Sequence, residues 1–282
     1  MRPLRYSTLV ALAAVWLAPG AASAVDSPAA APPPPAAPST DELIFTANGS
    51  TLTDASGGGG GSLTWLHDFT AGTLGLGGEY QRLADAHWAF GSLSGSVSTG
   101  NTTAKWTFSG DAHLGSGDIG ADQELQQHFN YDVEGAGVAG TFGGKLTVQL
   151  AANQYDIDTT HGTLPKVALG VLWTRHLQTT LSYSRSVNGN LGTELETARI
   201  DYYGHTVNWQ LGGAAGHVAP PVVNLYTGLT GPAPQLREGY VGVSKSFSRV
   251  DWSILGDYLK VGTQKRITVT LVCTLHLGGS AP

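Results

Sequence analysis

The end of the chain sets the constraint that the rest must meet. Ile267, Val269, Leu271, Cys273, Leu275 and Leu277 fall on one parity, and Thr268, Thr270, Thr274 and His276 on the other. A period of two belongs to a β-strand, whose successive side chains point to opposite faces. The pattern recurs upstream. Leu146, Val148, Leu150 and Ala152 oppose Thr147, Gln149, Ala151 and Asn153, Val207, Trp209 and Leu211 oppose Asn208 and Gln210, and Val250, Trp252, Ile254 and Tyr258 oppose Asp251, Ser253 and Asp257. After Asp41 no segment carries a comparable helical period. None is an apolar run of the roughly 20 residues that a membrane-crossing helix needs.

The alternation divides residues 42–282 into about fourteen strands, with twelve or sixteen as alternatives. They are expected at 42–51, 62–69, 73–82, 87–97, 103–113, 124–141, 145–157, 165–175, 179–186, 194–203, 206–216, 238–247, 250–260 and 266–277. Every second connection is brief and rich in turn formers, as at 142–144 with Gly143 and Gly144. Most of the others are long: 52–61, 114–123, 158–164, 187–193 and 217–237. Glycines 135, 137 and 140 suggest a bulge or bend inside the sixth strand. Aromatic residues gather beside the brief turns: Phe69, Trp106, Phe142, Trp173, Tyr202, Tyr203, Phe247 and Trp252. Tyr131, Tyr155, Tyr183 and Tyr258 sit nearer the opposite ends. Short turns at one end, longer loops at the other and two aromatic girdles describe an all-β, antiparallel, up-and-down transmembrane barrel. A soluble sandwich has one wet face but no reason to sort its loops in this way.

Composition agrees. Only 13% of the residues are charged, where soluble domains average about 25%. Arg2 and Arg5 precede the apolar stretch "TLVALAAVWLA", and Ala22-Ser23-Ala24 supplies a small-residue cleavage site, so residues 1–24 read as a signal peptide. Removing those two arginines leaves 13 of the 15 basic residues against 21 acidic ones, a net charge of about −8. That balance argues against nucleic acid or an anionic lipid surface as a partner. Residues 25–41 include "SPAAAPPPPAAPST", an extended proline and alanine linker that serves as a spacer or as a strap for a periplasmic partner. With both chain ends on the short-turn side, the N-terminus is expected in the periplasm.

"LTWLHDFTAGTLGLGGEYQRLADAHW" at 63–88 and the closing "RITVTLVCTLHL" resemble bacterial outer-membrane barrels of the YaiO-like kind, over residues 42–277. The resemblance implies an outer-membrane location, outer-membrane lipid as surroundings and insertion by the barrel-assembly machinery. The chain departs from such barrels at Leu277, where their closing strand usually ends on an aromatic residue.

No motif carries catalysis. The nine histidines have no local metal spacing, a lone Cys273 excludes cysteine-based zinc, and "GTLGLGG" at 72–78 opens no helix. No G-x-S-x-G elbow is present, so no catalytic residue, metal or cofactor is assigned and the chain is not expected to be an enzyme. The candidate functional residues are those that alternation turns inward: Glu79, Asp132, Gln149, Arg199, Asp201, Asn208, Gln210, Asp251 and Asp257. An acidic lumen favours cations and polar neutral solutes. The expectation is therefore a passive channel for small hydrophilic solutes. The alternatives are an export barrel for an envelope polysaccharide or secretion system, and a non-conducting structural or adhesion barrel. Loop 217–237, with its prolines and apolar residues, is the segment placed to fold into the mouth.

Overall fold

A computed structural model describes the residues between 41 and 277, leaving out 54–56, 70, 84–85, 102, 120–126, 158–159, 191, 219–234, 248 and 263. The expected signal peptide, nearly all of the linker and most of loop 217–237 lie outside the described residues. The strands are β1 (Asp41–Leu52), β2 (Gly58–Phe69), β3 (Gly72–Leu83), β4 (Ala86–Gly100), β5 (Ala104–Ile119), β6 (Gln127–Phe142), β7 (Leu146–Ile157) and β8 (Thr160–Thr174). They continue with β9 (Leu177–Arg185), β10 (Val187–Gly189), β11 (Glu194–Tyr203), β12 (Asn208–His217), β13 (Gln235–Ser246), β14 (Val250–Val261) and β15 (Gln264–Leu277).

Apart from the short β10, each strand pairs antiparallel with the next in sequence, β9 with β11, and β1 pairs with β15 from Asp41↔Leu277 to Leu52↔Arg266. The ring also closes between β8 and β9. The short β10 continues the line of β9 past Ser186 and pairs with β8, so the barrel has 14 staves. Closure is what the membrane requires. Lipid cannot hydrogen-bond a free strand edge, and a closed ring has none.

Outward parity is apolar over most of the wall, with charged residues on it toward the loop end. Leu76, Val97 and Leu114 are each 58% exposed and Trp173 is 62% exposed, whereas Leu259 and Ile157, of opposite parity, are 0% and 1% exposed. The exposed set is therefore the lipid face, and the buried set points into the barrel. Residues 143–145 join β6 to β7 through Gly143 (φ 56°) and Gly144 (φ 63°), the paired positive angles of a tight hairpin turn that matches strand twist. This and the connections at 70–71, 101–103, 175–176, 204–207 and 247–249 gather at one end with Asp41 and Leu277, here called the turn end. The remaining connections form the loop end.

Several expectations change. The loops expected at 52–61, 114–123 and 158–164 are largely strand: β2 begins at Gly58, β5 reaches Ile119 and β8 begins at Thr160. Glycines 58–61, inside the expected loop 52–61, bring strands close together. A Cβ at Gly61 would meet the carbonyl of Thr46, and one at Gly60 the carbonyl of Tyr80. No bulge interrupts β6, whose register runs unbroken against β5 and β7. Gly135 leaves room for the Asp111 and Asn153 side chains, and Gly140 for the rings of Trp106 and Phe142. Of the expected girdles, Phe69, Trp106, Phe142, Trp173, Tyr202, Phe247, Trp252, Tyr183 and Tyr258 face outward. Tyr203, Tyr131 and Tyr155 face inward, because each has the opposite parity to an exposed neighbour on its own or the paired strand.

Candidate functional site

Among the described residues the lumen is the surface where the fold collects polar chemistry out of lipid. Its turn-end half is lined by small hydroxyl side chains. Ser92, Ser94, Ser96 and Ser98 form the inner face of β4, with Thr73 on one side and Thr107 and Ser109 on the other. Their hydroxyls bond across strands, Thr73 to Ser96 at 3.0 Å and Ser98 to Thr107 at 2.9 Å. The same arrangement joins Ser182 to Thr197 at 2.6 Å on the opposite wall. Short side chains reach only a little way into the lumen, and their hydroxyls present a wettable surface.

Charged groups stand on this wall at three places. At the turn end, His276 lies between two carboxylates, its Nδ1 2.9 Å from Glu42 and its Nε2 3.0 Å from Asp251. This clasp joins β1, β15 and β14 across the seam that closes the barrel. Nearer the middle, Arg199 donates from Nε to Asp201 at 2.8 Å, along one strand rather than across the lumen. Toward the loop end, the Arg266 guanidinium approaches Asp257 to 3.7 Å, close enough for attraction but too far for a direct hydrogen bond. Both are nearly fully buried. Glu238 occupies the same wall, in line with Arg266 through Leu259. Across the barrel Gln81 donates to Glu79 at 2.9 Å, and His113 lies 3.3 Å from Asp111.

Eight of the nine candidate residues thus stand on the inner parity: Glu79, Gln149, Arg199, Asp201, Asn208, Gln210, Asp251 and Asp257. Asp132 does not. It stands directly opposite Leu114 and Asp156 on the lipid-facing parity of β6, because the register of that strand puts Tyr131 and Val133 inside. Toward the loop end the alternation of this strand is inverted: Phe129, Tyr131 and Val133 face inward while His128, Asn130, Asp132 and Glu134 face outward, so the expectation that polar residues turn inward misplaces Asp132. Inward charges overlooked in the sequence are Glu42, Asp68, Lys105, Asp111, Lys166, Glu238 and Arg266. Arg266 was within reach, since it directly precedes the outward Ile267. Counted over the described residues, inward carboxylates outnumber inward lysines and arginines. The histidines, which the sequence assigned no role, include His113 and His276, held against carboxylates inside the barrel.

The loop-end half of the lumen departs furthest from expectation. On one wall Trp88, Phe90, Phe129, Val133, Tyr155 and Ile157 form a buried cluster, joined by Leu52, Tyr131 and Leu164. Phe90 stacks on Tyr131 with ring centroids 5.5 Å apart and meets the His113 ring edge-on at 5.6 Å. Gly115 and Gly117 on the inner face of β5 make this possible. A Cβ on Gly115 would overlap Phe90, and one on Gly117 would lie 2.5 Å from Phe129 and 2.6 Å from Trp88. On the far wall Leu195, Ala214, Val218, Leu236, Leu259 and Val261 form a second, separate apolar cluster. The lumen therefore grades from hydroxyl-lined at the turn end to apolar at the loop end.

Among the described residues no group of three or more histidine, cysteine, aspartate and glutamate side chains is placed to hold a metal ion. No serine hydroxyl bonds His113 beside Asp111, so that pair does not extend to a hydrolytic triad among the described residues.

No family model and no curated protein matches the chain in sequence. Its likeness is to solved structures of bacterial outer-membrane channels. A monoaromatic hydrocarbon channel, CymD, superposes with a TM-score of 0.54 at 13% identity, covering 84% of this chain and 88% of that one. A Pseudomonas aeruginosa FadL homologue gives 0.56 at 8% identity, with 84% and 90% covered. The Pseudomonas putida toluene transporter TodX gives 0.50 at 10%, with 84% and 89% covered. At these identities the likeness establishes the fold: a closed antiparallel barrel of the outer-membrane kind.

Proposed function

We propose that this protein is a passive outer-membrane channel for small solutes that combine a ring or short hydrocarbon part with polar groups. The observation that carries the reading is the pair of apolar clusters on opposite walls of the loop-end lumen, above a hydroxyl-lined half. A solute with an apolar part loses little by leaving water for such walls, and the hydroxyls and charges beyond them rehydrate its polar part. The hydrocarbon channels it resembles in fold support this choice. In this reading residues 1–24 direct export, 25–41 tether the barrel in the periplasm, and the turn end faces the periplasm. A channel for purely hydrophilic solutes is the second reading, favoured by the inward acidic excess.

Liposome swelling separates the two with phenylalanine and glucose, solutes of similar size that do not cross lipid unaided. The proposal expects phenylalanine to enter faster. Faster glucose entry selects the hydrophilic reading. No swelling with either solute, from vesicles whose barrel keeps its heat-modifiable β structure, refutes the channel and leaves the export and structural alternatives.

A further inference from the structure

The outer wall carries a feature that lipid contact does not explain. Arg237, Lys260 and Lys265 lie on three adjacent strands, with Arg237 directly opposite Lys260 and Lys260 directly opposite Lys265. All three are exposed and share the outward parity of Tyr258 and Ile267. Paired strands lie about 4.8 Å apart, so three cationic side chains leave the wall from a row about 10 Å wide. Like charges placed directly opposite one another destabilise a sheet. Among the described residues no ion pair joins any of the three to a carboxylate. The outward carboxylate in the same line is Glu196, set apart from Arg237 by Ala215 on β12. Among the described residues the row is therefore a cationic surface with no carboxylate paired to it.

Its height identifies the anion. One step toward the turn end the wall presents Tyr258, a residue type that sits at the membrane–water boundary, and beyond it the lipid-facing Ile254 and Val269. An anion bound here stands at headgroup level with an apolar wall running away beneath it. We propose that Arg237, Lys260 and Lys265 form a binding site for the phosphate groups of an anionic membrane lipid, whose acyl chains lie along the wall of β14 and β15. Arginine supplies a forked donor pair and the lysines two point charges, a set suited to phosphate oxygens. With the loop end outward, as proposed above, the lipid belongs to the outer leaflet. The site depends on the barrel's outer face alone, so a lumen that passes no solute leaves it standing.

The test titrates the purified barrel in non-ionic detergent with bisphosphorylated lipid A and with the same lipid after dephosphorylation, reading bound lipid by native mass spectrometry. The wild type is expected to prefer the phosphorylated form by about tenfold or more, in keeping with the pull of three cations on an anionic headgroup. The variant R237Q/K260Q/K265Q is expected to lose that preference while retaining heat-modifiable mobility. R82Q, which removes an exposed charge from β3 at the same end, is expected to keep it. Equal binding of both lipids by the wild type, or an unchanged preference in the triple variant, overturns the proposal. So does displacement of lipid A by millimolar inorganic phosphate, which would assign the row to a free anion.

Discussion

Arg266 and Asp257 test whether the loop-end half of the lumen is dry. Each is only 5% exposed, and 3.7 Å separates the guanidinium from the carboxylate. At that distance and an effective dielectric constant of about 20 their attraction is about 4 kcal/mol, against about 1 kcal/mol in open water. Removing the cation is the harsher change. Arg266→Met leaves the buried Asp257 unpaired beside the half-buried Glu238 of like charge, for which a loss of about 3–5 kcal/mol is expected. Asp257→Asn leaves Arg266 with Glu238 as its counter-charge and is expected to cost about 1–3 kcal/mol. The triple variant E238Q/D257L/R266M, with no ion left to desolvate, should recover most of the loss. Guanidinium-driven unfolding of the barrel in phospholipid vesicles, followed by tryptophan fluorescence, measures all three. A cost below about 1 kcal/mol for Arg266→Met would mean that water screens the pair. A cost for Asp257→Asn equal to or above that for Arg266→Met would remove Glu238 from the network. Either result refutes the dry-lumen reasoning.

Three further outcomes follow from the lumen. Trp88→Ala with Phe90→Ala should destabilise the barrel by about 3–5 kcal/mol per ring at most and, in liposome swelling, speed glucose while shrinking the advantage of phenylalanine. Gly117→Ala places a methyl against Phe129 and Trp88 and should cost about 1–3 kcal/mol, with denaturant unfolding as the measure. Asp251→Lys turns a carboxylate at the turn end of the lumen into a cation; the reversal potential across a planar bilayer with a salt gradient should move toward anion preference, and an unmoved potential would mean that ions do not pass this point.

The outward pattern was legible and much of the inward one was not, for a physical reason. Lipid accepts only apolar or interfacial side chains, so Leu146, Val148 and Leu150, or Ile267, Val269 and Leu271, repeat without exception and fix their strands. The lumen imposes no single polarity. Trp88 and Phe90 face inward as firmly as Ser92 to Ser98 on the same strand, and no period distinguishes a lumen aromatic from a lipid-facing one. Tyr131 and Tyr155 were misplaced for that reason, and Asp132 was drawn inside by its charge. At the loop end charge is no guide to parity, because the wall there leaves the apolar band and tolerates Asp132, Asp156 and Lys260 on its outer face. The glycine run at 58–61 misled in another way, since its role depends on the neighbouring carbonyls of β1 and β3, which lie elsewhere in the sequence.

The same absence of pressure explains how the barrel holds two linings within one wall. Every inner position already has its backbone bonds met by the ring, so a lumen side chain answers only to its neighbours and to what passes. Along β5 that freedom is spent unevenly: Thr107, Ser109, Asp111 and His113 give way to Gly115 and Gly117, which contribute no side chain and instead seat rings from β4 and β6. A wall built only for closure would need neither the glycines nor the rings, because small hydroxyl residues close the turn-end half without them. A plug built only for packing would need no carboxylates beneath it. Asp111, His113 and Phe90 stand in contact along this wall, so under the proposed function a solute with both polar and apolar parts would meet the two linings in sequence, and the proposal stands on the loop-end aromatics rather than on the acidic residues alone.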